Sequence, residues 1–243
     1  MPDDGYQAAV LQHFEGLIDN LKQLWAKTAL DSMGGRYHRY ESEVLLLACC
    51  YLDALAGEFL DGKCSEERFR ELLWDYTDRQ KCDVRKVSLD ALRFKLTEYS
   101  VRGTARGDRN FWDSQRVIDY LREEVEKRDY NVGDPTAHDP LVEDVVVRVK
   151  GMLSDRETCR HWEAAAERIY EASYAGVLYE KYRSSLVHEA HVVGHWTSQG
   201  GDSPFYLAVE GGSIELVFPS YFLIKTLEGI IANIFSNYWT PVY

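Results

Sequence analysis

The 243-residue chain has no CxxC pair: its five cysteines, Cys49, Cys50, Cys64, Cys82 and Cys159, are odd in number and scattered. That excludes a disulfide framework and a zinc knuckle, and it fits a reducing compartment. Cys49 and Cys50 fall inside an apolar run, where a thiol reads as a small core hydrophobe. Long apolar runs are also missing. No stretch approaches the roughly 20 apolar residues that span a bilayer, and MPDDGYQAAV has neither a basic start nor an apolar signal core. The expectation is a soluble, cytoplasmic protein without a membrane partner. Basic charge is the third shortage, with 28 Lys plus Arg against 40 Asp plus Glu and a formal net charge of -12. Such a balance excludes passive coating of a phosphate backbone, so any nucleic-acid contact must be local.

What is present is helical periodicity over a hydrophobic content of 45%, enough for a proper core. Val10, Phe14, Leu17, Ile18, Leu21, Leu24 and Trp25 recur at helical spacing and predict an amphipathic helix from Tyr6 to about Ala29, ended by MGG at 33–35. ESEVLLLACCYLDALAGEFL is apolar on nearly every side and predicts a buried central helix whose one interior charge is Asp53. Ser65 reads as the cap of a third helix, and a fourth is expected over 84–99. VRGTARGDRN reads as a loop, in which Arg102, Arg106 and Arg109 are candidate phosphate contacts. FWDSQRVIDYLREEVEKRDY resumes the helical pattern, and NVGDPTAHDP is an internal linker. One long helix is then expected from about Glu157 to Gly194. FYLAVEGGSIELVF has the alternation and Gly-Gly pair of a two-stranded hairpin, and YFLIKTLEGIIANIFSNYW returns to helical spacing. The fold expected is all-α, a single domain over 1–243 with a small C-terminal β-hairpin followed by a helix.

The segment KYRSSLVHEAHVVGH, residues 181–195, gathers three of the seven histidines. On a regular helix Ala172, Ala175, Tyr179, Tyr182, Leu186, Ala190 and Val193 form one stripe, the core face. Ser184, His188, His191 and His195 form a second stripe roughly 160–200° away. Arg183 and His188 then diverge by roughly 140°. Convergence on one atom needs a flexible arginine, a distorted helix, or two copies meeting at a symmetric interface. Asp53 needs a partner as an ionised carboxylate in an apolar helix. Capping of a neighbouring helix or acceptance from a tyrosine reads ahead of pairing with Arg183.

RSSLVH, an arginine and a histidine separated by four residues late in a helical chain and preceded by YEKY, resembles the motif of the HEPN superfamily. LLLACCYLDALAGEFL is likewise similar to uncharacterised bacterial HEPN-type proteins. The resemblance implies a HEPN-like helical bundle over about 35–200, with a hairpin-helix elaboration at about 203–243. Active members of that superfamily are metal-independent endoribonucleases that work as dimers, with their motifs gathered at the interface. Carried over, Arg183 stabilises charge on the scissile phosphate and His188 is the acid/base. Ser184 stands where active members carry asparagine, aspartate or histidine, and Asp53, Tyr182 and Glu189 are supporting residues. Histidine and arginine can drive attack of the RNA 2'-hydroxyl without metal, giving a 2',3'-cyclic phosphate and a free 5'-hydroxyl. The implied partners are RNA, a second copy of the chain, and an antitoxin or phage-defence protein; no cofactor or metal is expected.

Two alternatives stay open. A non-catalytic HEPN module that dimerises or binds RNA or protein suits the negative charge. A metal centre on His188, His191 and His195 has workable spacing, although HEAH is one residue short of the protease motif and VVG lacks its glutamate.

Overall fold

Helical spacing of apolar residues builds the elements at both ends of the chain. In this computed structural model, residues 4–33, 41–61, 64–77, 83–96, 115–128, 135–153, 155–184, 203–208 and 214–239 are described. Their order is α1 (Asp4–Met33), α2 (Glu41–Phe59), α3 (Ser65–Tyr76), α4 (89–96), α5 (Gln115–Glu126), a 3-10 turn (Pro135–His138), α6 (Val142–Met152), α7 (Asp155–Glu171) and α8 (Tyr174–Val177). A π-helical segment (Leu178–Ser184), strands β1 (Phe205–Ala208) and β2 (Ile214–Val217), and α9 (Ser220–Trp239) follow. The chain is thus mostly helical, with a two-stranded antiparallel hairpin before the last helix. Among the described residues no helix is long and apolar enough to cross a membrane.

Contacts gather into two compact units, each assembled from separated stretches of chain. The first comprises Met1–Val84, Leu178–Pro204 and Val217–Tyr243, and the second Arg85–Val177 and Phe205–Leu216. In the first unit α2 packs on α1, α3, α9 and the π-helical segment, the central position its all-round apolar sequence calls for. It buries Val44, Leu45, Ala48, Cys49, Leu52, Leu55 and Ala56, whereas among its described side chains α1 buries the stripe Leu11, Phe14, Ile18 and Leu21. Burying each leucine, isoleucine or phenylalanine is worth about 1.5–3 kcal/mol, so this shared core is the main force holding α2 in place.

The second unit departs from helical periodicity at two places, for one reason. The helix expected over 84–99 starts only at 89, because 85–88 bond to other segments instead. The Val87 amide donates to the Pro140 carbonyl at 2.8 Å, Ser88 to Ala172 at 3.0 Å, and Tyr174 to Lys86 at 2.8 Å. These are sheet-like pairings, Lys86 with Leu141 and Val87 with Ser173. They also interrupt the single long helix expected from Glu157, which breaks at Ala172 and Ser173. Ser173 then caps α8, its Oγ accepting from the Gly176 amide at 3.1 Å. Tertiary bonding to backbone groups here outweighs local helix propensity.

Candidate functional site

Arg183 and Asp53 meet in the first unit. The Arg183 Nη2 donates to Asp53 Oδ2 at 2.9 Å, joining the π-helical segment to α2. The pairing with Arg183, ranked last from sequence, is the contact the described residues show for Asp53. The Arg183 side chain keeps 11% of its exposure and Asp53 30%, so the pair is largely covered yet open to solvent on one side. Burial works against the Arg183 charge, but the hydrogen bond and charge of Asp53 outweigh it and hold the guanidinium more firmly protonated than usual. A fixed cation is the result.

The backbone under this pair is not a regular helix. Leu178–Ser184 is wound as π-helix, in which hydrogen bonds close over five residues instead of four. The 140° divergence assumed a regular α-helix, whereas the backbone at Arg183 is π-helical and 185–188 lie outside the described residues.

An aromatic ring lies against the cation. Arg183 Cζ lies 5.3 Å from the centroid of the Tyr179 ring, a cation–π distance. Tyr179 shares a hydrogen bond of 3.2 Å with Ser65 Oγ and meets the buried Phe69 ring edge-on at 5.5 Å. Ser65 is thus the first residue of α3 and not its cap, which is Cys64 without a side-chain bond. Tyr182 points into the core instead, 3% exposed, its hydroxyl accepting from the Phe218 amide at 2.9 Å. Its support is structural, fixing the π-helical segment against the start of α9.

Cys49 and Cys50 precede Asp53 on α2. Burial pushes the Cys49 thiol well up, and burial with the nearby Asp53 carboxylate pushes Cys50 up against the pull of Arg183. Both stay protonated at neutral pH and are poor nucleophiles. The site's described chemistry is therefore that of an anchored cation.

Ser184 ends the π-helical segment, half-buried beside Arg183. His188, Glu189, His191 and His195 lie outside the described residues, as do Arg102, Arg106 and Arg109. Among the described residues no three His, Cys, Asp or Glu side chains gather as a metal site requires.

Sequence reasoning missed the buried polar cluster of the second unit. Asp139, within the segment read as a linker, is 6% exposed. Its carboxylate accepts from Arg128, and from the hydroxyls of Tyr174 and Tyr206 at 2.6 Å each. Lys86 Nζ donates nearby to the Thr136 carbonyl at 2.8 Å. Burial raises the Asp139 pKa against the opposing pull of Arg128 and the two tyrosines. The only sequence signal was an aspartate before Pro140 in a polar stretch, which reads as a turn.

No family model matches the chain, and neither does any curated protein or solved structure compared with it.

Proposed function

We propose that the protein is a metal-independent endoribonuclease of the HEPN type, acting as a homodimer through Arg183 and His188. The observation that carries this reading is the held guanidinium: Asp53 fixes Arg183 at 2.9 Å at the edge of solvent, just ahead of the motif histidine in sequence. A phosphate passing to a five-coordinate transition state gains negative charge, and a cation already oriented stabilises it without reorganising. His188 supplies the base for the 2'-hydroxyl or the proton for the leaving oxygen. With a net charge of -12, recognition rests on this local site and not on a basic surface.

A second reading, a non-catalytic HEPN module for dimerisation or for RNA or protein binding, is favoured by one observation. Arg183 is already engaged by a carboxylate and mostly covered, as a structural arginine would be. Incubation of purified protein with total RNA in chelator separates the two. The endoribonuclease reading expects cleavage with 2',3'-cyclic phosphate ends, lost on Arg183→Ala and on His188→Ala. No cleavage of any RNA by the folded parent establishes the binding module in its place.

A further inference from the structure

We infer that Tyr179 is a positioning residue for Arg183: its ring face sets the plane of the guanidinium, and α3 in turn holds the ring. The bond from Nη2 to Asp53 fixes one nitrogen of the guanidinium. The Tyr179 ring, 5.3 Å from Cζ, supplies the second constraint, because the electron-rich face attracts the cation. A carboxylate at one end and a ring across the face are constraints of different kind on that orientation.

The ring has its own supports. Ser65 and Phe69 are four residues apart and so share one face of α3. Ser65 Oγ holds the Tyr179 hydroxyl at 3.2 Å, and the Phe69 ring, fully buried, meets the Tyr179 ring at 63° and 5.5 Å. The route runs from the core through Phe69 to Tyr179 and from there to Arg183. The two parts of tyrosine have separate duties: the ring orients the arginine, and the hydroxyl only fastens the ring.

That division yields the test. Arginine Nε–Hε signals are recorded on labelled protein, with the Arg183 signal identified by its loss in Arg183→Lys. In the parent, the Arg183 side chain should show ring-current shifts and proton contacts to the Tyr179 ring. Tyr179→Phe should keep both, whereas Tyr179→Leu should move the signal to the position of an unstacked arginine. The kinetic arm rests on the proposed endoribonuclease activity. There Tyr179→Leu should lower kcat on the order of tenfold with KM little changed. Tyr179→Phe should restore it and Ser65→Ala should match the Phe variant. An Arg183 signal without ring shifts in the parent overturns the inference, whether or not the Leu variant folds. So does a folded Tyr179→Leu protein with the parent's Arg183 signal. Should the signal move as expected in a protein that cuts no RNA, the positioning role stands and the catalytic reading falls.

Discussion

Arg183 and Asp53 lie 130 residues apart in sequence and 2.9 Å apart in space, an ion pair that ties the π-helical segment to the central helix. Its exposure places it between two regimes: surface pairs contribute about 0.2–1 kcal/mol, and breaking a buried pair costs about 3–5 kcal/mol. Asp53→Ala and Arg183→Ala are each expected to lower unfolding free energy by about 1–2 kcal/mol. A double-mutant cycle in urea should give a favourable coupling above about 0.5 kcal/mol. Additive losses would mean that the contact holds nothing together.

Two carboxylates should move stability with pH in opposite directions. Burial raises Asp139 above its ordinary 3.8, so the unfolded chain ionises first as pH rises. Its stabilising contribution is complete below 3.8 and is lost as pH climbs through the raised folded value. Glu228 is half-covered, which alone would raise it, but Lys22 and Lys225 bring it below its ordinary 4.5. Its contribution is complete above 4.5 and is lost as pH falls through the lowered folded value. Denaturation midpoints against pH should lose the first slope in Asp139→Asn and the second in Glu228→Gln. Unchanged slopes in either variant would sink that assignment.

Elements whose shape follows from their own residues were legible in the sequence. The stripe Leu11, Phe14, Ile18 and Leu21 and the alternating FYLAVEGGSIELVF carry their periods in themselves. The break at Ala172 and Ser173 was not legible, because the helical pattern runs straight through it and the cause is backbone bonding to 86–88. Asp139 was hidden similarly: its burial is decided by Arg128, Tyr174 and Tyr206, which come from three other segments. Of the candidate site, Asp53 was visible as a charge needing a partner and Arg183 as the arginine of RSSLVH. Their partnership is a tertiary contact between α2 and a π-helical segment that has no periodic signature of its own.

Gly176 should tolerate no side chain. A Cβ there would sit 2.4 Å from the Glu171 carbonyl oxygen and 2.6 Å from that of Tyr170, both backbone atoms at the helix break. Gly176→Ala is expected to cost about 1–3 kcal/mol through forced backbone displacement. Gly16→Ala, in α1 with nothing within 4 Å, is the contrasting substitution and should stabilise by about 0.5–1 kcal/mol. Urea midpoints of the two variants check both signs, and a neutral Gly176→Ala would show that the close approach relaxes freely.

The proposed active unit contains two chains, so the site should be divisible between them. Light scattering should give a mass near twice 28.0 kDa at micromolar concentration. A stricter test uses variants that are each inactive, Arg183→Ala and His188→Ala. If one arginine and one histidine from different copies suffice at a shared interface, mixing the variants under conditions of subunit exchange should regain part of the parent's RNA cleavage. His195→Ala, outside the motif, should keep most activity and serve as the control for histidine loss. Recovery on mixing requires exchange, which differently tagged copies would report by co-purification. Exchanged but inactive mixtures would place each site within one chain, and a strict monomer that still cuts RNA would remove the composite site altogether.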